Sequence, residues 1–211
     1  MPEGSCGPCW KKRTDERREI LQTVSNVLEQ GRFSLLRVLG KARLVVDATA
    51  GNGRDTLFLA EHTPPEAHIY AFDIQKEAIQ KTRAVTAAYA EKIHYLVCGH
   101  EFLGQIVPEE IDVAVFNLGY LPGADHGITT RTETTRRAAA AALTRLRVHG
   151  ICLITVYPGH PEGSAEADML AGYLSRLPVH EFTVGCYQLM NHKKTAPYLY
   201  LIERTGRRCP V

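Results

Sequence analysis

Two short polar clusters carry whatever chemistry this sequence performs. The first is "DATAGNGRDT", residues 47–56, set between an apolar run and a helical pattern. Glycine at 51 and 53 lets the backbone tighten and lets a ligand come close. Asp73 stands 22 residues after Gly51, near the spacing of about 20 at which nucleotide-binding folds set the acid that bonds ribose hydroxyls. The second cluster is "VFNLGYLPG", residues 115–123, where Asn117 halts an apolar run and Tyr120 and Pro122 follow. The Asn117 side-chain oxygen and the Leu118 carbonyl are hydrogen-bond acceptors at that strand end. Tyr120 offers a ring on which a base can stack, a contact worth about 1–3 kcal/mol. Read as plain structure, the same residues cap a turn and pack on the sheet.

A lone pair of glycines means little, but a glycine turn between strand and helix with a correctly spaced acid means more. The dinucleotide fingerprint would have a third glycine where Thr56 stands. That substitution is expected to loosen helix–strand packing and to disfavour a pyrophosphate. Asp47 is expected to face the pocket as an anion, awkward beside a diphosphate but useful beside the ammonium of S-adenosylmethionine. The charge favours that methyl donor over NAD. The competing classes are an NAD-linked oxidoreductase and a non-catalytic RNA-binding module.

The elements that must position these clusters alternate. "EILQTVSNVLEQ" has helical apolar spacing and is expected to stop at Gly31; "RLVVDA" reads as a strand and "RDTLFLAEH" as a helix ended by Pro64 and Pro65. "HIYAFDI", "KIHYLVCG", "IDVAVFNL" and "HGICLITVYPG" read as further strands. Helices are expected at "QKEAIQKTRAVTAAYA", residues 131–147 and "AEADMLAGYLSRL", with a loop or short helix around "HEFLGQIVPEE". "VHEFTVGCY" and "PYLYLIER" close the chain as an antiparallel pair at one edge. The pattern predicts an α/β fold with a seven-stranded, mostly parallel, doubly wound sheet and helices on both faces. Ligands in such folds bind beyond the C-terminal strand ends, where both clusters fall. Residues 19–205 form one expected domain between a flexible tail at 1–18 and a short tail at 206–211.

Composition excludes little. The 211 residues are 45% hydrophobic and 23% charged with a formal net charge of +2, too mild to announce nucleic-acid binding by itself. No apolar run approaches the about 18 residues of a membrane span, and the first twenty residues lack a secretory or transit pattern. Cys6 and Cys9 form a CxxC with no strand before it, so they read as incidental, while Cys98, Cys152 and Cys186 sit in apolar runs and read as core. The cysteine usage fits a reducing compartment, the cytoplasm. No metal-ligand cluster has usable spacing, and none is required for methyl transfer.

"VVDATAGNGRDTLFLA", "YAFDIQKEAIQKT", "FNLGYLPGADHGITT", "VYPGHPEGSAE" and "YQLMNHKKTAPYLYLIE" together resemble the bacterial family labelled putative rRNA methylase, over about residues 20–204. The family consists of class I methyltransferases with a Rossmann-like fold. The resemblance implies an S-adenosylmethionine-dependent tRNA methyltransferase that converts 5-aminomethyl-2-thiouridine at the wobble position to its 5-methylaminomethyl form. Methylation of another amine, on rRNA or a small molecule, is the alternative. By that resemblance Gly51, Asn52, Gly53, Asp55, Thr56, Asp73, Gln75 and His100 surround the cofactor, with Asp47, Ile74, Glu101 and Asn117 beside them. Asn117 and Tyr120 then face the amine and base, with Leu118. "NLGY" has the layout of the [DNS]PP[YFW] tetrapeptide of amino-group methyltransferases. His126, Ala196 and the Ser25–Asn26 pair depart from the family's usual residues. His160 is a candidate for the substrate mouth, and Asn191, His192, Lys193 and Lys194 for phosphate contact. Of Arg131, Arg136, Arg137, Arg145 and Arg147, expected on one long helix, Arg131 lies nearest the active rim. The implied partner is a tRNA anticodon stem-loop, with a homodimer left open and no membrane.

Overall fold

The computed structural model describes residues 24–108, 110–119 and 129–206. Among them, seven strands form one sheet: β1 (Leu44–Asp47), β2 (His68–Asp73), β3 (Ile93–Val97), β4 (Ile111–Asn117), β5 (Leu146–Val156), β6 (Phe182–Tyr187) and β7 (Tyr198–Arg204). Their order is β3-β2-β1-β4-β5-β7-β6. The first five run parallel, and β7 enters reversed between β5 and β6. The doubly wound sheet and the antiparallel edge pair both match the expected fold. The central strands are buried along their length, as sheets covered on both faces must be.

Among the described residues, six α-helices cover the sheet: α1 (Val27–Leu39), α2 (Arg54–His62), α3 (Lys76–Val85), α4 (Leu103–Ile106), α5 (Thr132–Arg145) and α6 (Pro161–Leu174). Leu35, Leu39, Leu59 and Ile79 of α1 to α3 join one apolar core. Leu103, the alanines of α5 and Leu170 of α6 join the other. Strand order reverses direction at β1, so a crevice opens between the C-terminal ends of β1 and β4.

Three expectations change. The first helix does not end at Gly31. A capping box starts it at Asn26, whose Oδ1 accepts from Glu29 N at 3.0 Å while Glu29 Oε2 accepts from Asn26 N at 3.2 Å. Gly31 is buried mid-helix because its missing side chain lets α1 settle on β5; a Cβ there would lie 3.3 Å from Leu153. Ile20 and Leu21 lie outside the described residues. The five arginines do not share one helix: Arg131 is the α5 N-cap, and Arg147 lies on β5 paired to Asp112 at 2.9 Å. Of the three cysteines, only Cys152 is fully buried; Cys98 is half-buried and Cys186 exposed. Cys6, Cys9 and Cys209 lie outside the described residues, and among those described no helix is long and apolar enough to cross a membrane.

Candidate active site

The chain leaves β1 into the glycine turn, which is stitched to both neighbouring strands: Ala48 N donates to Val115 O at 2.9 Å and Ala50 N to Phe72 O at 2.8 Å. Gly53 has φ 80°, and a Cβ there would meet Val85 at 2.6 Å and the Thr82 backbone at 2.7 Å. Only glycine satisfies both the left-handed backbone and the close approach of α3. Asp73 closes the turn from β2, its Oδ2 accepting from Gly51 N at 2.9 Å and its Oδ1 from Gln75 N at 2.8 Å. Burial raises this carboxyl, and the two backbone donors oppose the rise.

Asp47 does not face the cleft. It is fully buried, with Oδ1 accepting from Thr49 N at 3.1 Å and Oδ2 from the Thr56 hydroxyl at 2.6 Å. Burial first, then Asp55, pushes its carboxyl up to about 7. The expected pocket anion is thus an internal brace. The loosened packing expected at Thr56 is absent too, because Thr56 is fully buried and ties α2 to β1 through that bond. Gly53 likewise shapes the turn from behind the cleft wall.

A cleft of about 1350 Å³ runs across the strand ends, large beside the roughly 300–1,000 Å³ of a single-ligand pocket. Its β1–β3 half is lined by Gly51, Asn52, Asp55, Asp73, Ile74, Gln75, His100 and Glu101. Its β4–β5 half is lined by Asn117, Leu118, Arg131 and His160. Asn191 does not line it, although Thr195 and Pro197 bring the same loop to the rim. Tyr120 lies outside the described residues. Sequence reasoning missed Tyr157, whose half-buried ring flanks Gly119 and whose hydroxyl is raised by burial and then by Asp55. The signal was present in "VYPG", an aromatic and a proline closing a strand as in "NLGYLP".

Two acceptors on residues of the cleft lining stand out. His100 Nδ1 lies 3.2 Å from the Ala48 carbonyl, which can only accept, so Nδ1 carries the proton and Nε2 bears a lone pair. Burial lowers the affinity of this imidazole for a second proton. Among the described residues, His100 Nε2 is buried with no hydrogen-bond partner. Asn117 is held by its backbone, whose N donates to the Thr49 hydroxyl at 2.7 Å, and by Nδ2, which donates to Asp55 Oδ2 at 2.6 Å. A carboxylate only accepts, so the amide nitrogen must face Asp55 and Oδ1 must face away. That Oδ1 is buried and without a partner among the described residues.

The far wall is braced by two glutamates. Gly119 N donates to the Thr130 hydroxyl at 2.8 Å, which donates to Glu166 Oε2 at 2.8 Å; Thr135 donates to Glu166 Oε1 at 2.5 Å. Thr132 N donates to Glu162 at 2.8 Å. Gly119 has φ 125°, which favours glycine at the start of this wall. His160 caps α6, its Nδ1 accepting from Gly163 N at 3.1 Å. Among the described residues no cluster of three or more His, Cys, Asp or Glu side chains is arranged to hold a metal.

Fold, crevice and relatives define a Rossmann-like S-adenosylmethionine-dependent methyltransferase. Residues 69–203 match the family described as "Putative rRNA methylase", and the chain belongs to that family. It is 34% identical over 180 residues to the chloroplastic tRNA (mnm(5)s(2)U34)-methyltransferase of Arabidopsis thaliana, an alignment spanning 80% of this chain and 66% of that protein. The chain thus spans just under two thirds of that relative's length. Among solved structures, it is 32% identical to a putative rRNA-methylase from Clostridium thermocellum, with TM-score 0.83 over 86% of this chain and 99% of that one. A putative methyltransferase from Streptococcus mutans, solved in complex with SAH, is 35% identical with TM-score 0.78 over 86% and 99% of the two chains.

Proposed function

We propose that this chain methylates a primary amine on RNA, namely the aminomethyl group of 5-aminomethyl-(2-thio)uridine at the tRNA wobble position. The observation that carries the reading is Asn117 in the cleft wall, whose Oδ1 is buried and without a partner among the described residues. Leaving a buried acceptor unmatched costs about 1–3 kcal/mol, so an N–H donor arriving there gains what the free protein forgoes. A primary amine brings such donors; a hydroxyl or carbon nucleophile does not bring two. The name of the Arabidopsis relative agrees with this substrate.

The cleft residues fit the methyl donor. Asp73 spends one lone-pair site of each oxygen on a backbone donor and retains acceptor capacity for the two ribose hydroxyls. His100 Nε2, next along the strand ends, fits the exocyclic amine of adenine as its donor. S-adenosylmethionine, when bound, supplies an electrophilic methyl carbon on its sulfonium. The protein's share is alignment, which for a direct displacement accounts for most of the acceleration. Asn117 and the Leu118 carbonyl orient the amine, and Tyr120 is assigned to stacking of the base. Arg54 and Arg131 in the cleft lining, and exposed Lys193 and Lys194 in the bordering loop, offer positive charge to phosphates of an anticodon stem-loop. The test is nucleoside mass spectrometry of tRNA from cells with and without the gene. Loss of 5-methylaminomethyl-(2-thio)uridine with accumulation of its aminomethyl precursor is expected. An unchanged tRNA profile with a lost rRNA methyl group would overturn the reading.

A further inference from the structure

Asn117 is not oriented by its own strand. Its side-chain nitrogen is gripped by Asp55 of α2 at 2.6 Å, and Asp55 Oδ1 is gripped in turn by Arg32 of α1 at 3.0 Å. Arg32 lies over the Phe58 ring, 5.1 Å from its centroid. The three side chains form a chain of charge-assisted bonds from the first helix to the last residue of β4. All three line one small cavity beneath α1, and Asp55 and Asn117 also line the cleft.

An amide has two similar ends, and a site that needs only its oxygen must forbid the flip. A carboxylate at 2.6 Å does so, because an oxygen turned toward it would be repelled. The carboxylate has a second consequence. An alkylamine is protonated at neutral pH, and a bare carboxylate close by would hold it as an unreactive ammonium. A guanidinium on the far oxygen cancels that field while leaving the near oxygen free to hold the amide. The groups that face Asp55 are Arg32 from α1, Asp47 from β1, Asn117 from β4 and Tyr157 beyond β5. Arg32 is the cation among them.

We infer that Asp55 is a positioning residue that locks the Asn117 amide with Oδ1 toward the substrate amine, and that Arg32 neutralises Asp55 so that the amine enters uncharged. The inference rests on the amine-methylation reading above, and it deepens that reading by assigning the control of amide orientation and amine charge.

The experiment compares wild type, Asp55→Asn, Arg32→Met and Arg32→Lys in single-turnover methylation of an anticodon stem-loop bearing 5-aminomethyluridine, across a pH series. Thermal melts and calorimetry with S-adenosylhomocysteine run alongside. Asparagine at 55 can present oxygen or nitrogen, so Asp55→Asn should lose about tenfold or more in maximal rate. Its affinity for the stem-loop should stay within about twofold, a split that a merely unstable variant does not show. Arg32→Met should move the pH of half-maximal rate upward, with near-normal rate regained in alkali, and Arg32→Lys should restore the wild-type profile. A folded Asp55→Asn protein at wild-type rate, or Arg32→Met with an unmoved pH profile, would overturn the inference. Side-chain amide NMR reads the lock without substrate: the two Asn117 Nδ2 protons should be widely split in wild type and converge in Asp55→Asn. Absence of that change refutes the lock, whereas a wild-type enzyme that leaves the amine unmethylated refutes the function reading instead.

Discussion

The two halves of the cleft are built on different principles. On the β1–β3 side, the bonds made by the two aspartates that shape the turn join residues only 2, 9 and 22 positions apart, from Asp47 to Thr49 and Thr56 and from Gly51 to Asp73, beside longer ties from Ala48 to Val115 and His100. On the β4–β5 side, the bonds reach across the fold, 68 positions from Thr49 to Asn117, 62 from Asp55 to Asn117 and 36 from Thr130 to Glu166. The first half is a local turn that sequence spacing dictates. The second exists only once the sheet has assembled. Segment 47–56 belongs to both, because it shapes the donor turn and grips Asn117 by backbone and side chain. In the proposed reaction, donor and amine are therefore referenced to one short stretch of chain, a direct way to fix the distance between reacting groups.

If the halves divide labour, their variants should fail differently. The largest effect is expected at Asn117. Asn117→Ala should cut turnover about a hundredfold or more while donor affinity holds, since an interaction tightened in the transition state lowers kcat more than it raises KM. Single-turnover rates beside calorimetry with S-adenosylhomocysteine check this, and equal losses in both would erase the division. The mirror-image change is Asp73→Ala. It should weaken donor binding about tenfold or more through lost ribose bonds, each worth about 1 kcal/mol, with turnover at saturating donor far less affected. Retained affinity, or binding of NADH instead, would remove Asp73 from the donor half.

Asp47 offers a subtler probe, since it braces the shared segment without touching the cleft. Its folded carboxyl is raised from 3.8 to about 7, so the native state holds a proton that the unfolded chain has released between those values. Its contribution to stability is full below about 4 and is lost as pH rises through about 7. The melting-temperature advantage of wild type over Asp47→Asn should therefore shrink from pH 4 to pH 7 and level off above it. A gap that widens over that range would mean the carboxylate is held charged. The smallest effect is expected from deleting residues 1–10, Cys6 and Cys9 included: melting temperature and rate should be unchanged, and a dead or zinc-bearing protein would show that the CxxC matters.

Legibility followed the same division. Strand, glycine turn and the acid 22 residues on are neighbours in spacing, so the donor half was readable, as was Asn117 at a strand end. Side-chain direction was not. Asp47 looked like a pocket anion, but its register turns it inward to meet Thr56, a hydroxyl read from the sequence as a missing glycine and a cofactor neighbour. Gly31 looked like a helix stop because its use, contact with Leu153 on β5, is 122 residues away. Arg32, Tyr157 and Glu166 went unassigned for the same reason: each acquires its role from a partner on another element. Nothing in local spacing announces such a partner.

In the proposed reaction, the cleft aligns a primary amine on an anticodon with the methyl donor. The most direct measurement supplies labelled S-adenosylmethionine to the purified protein with two matched anticodon stem-loops, one bearing 5-aminomethyluridine at the wobble position and one bearing plain uridine. Nucleosides are then analysed by mass spectrometry. One labelled methyl group per aminomethyl stem-loop, recovered as 5-methylaminomethyluridine, is expected, and none on the uridine control. Equal labelling of both stem-loops, or label on a base or ribose instead of the amine, would contradict the proposed reaction.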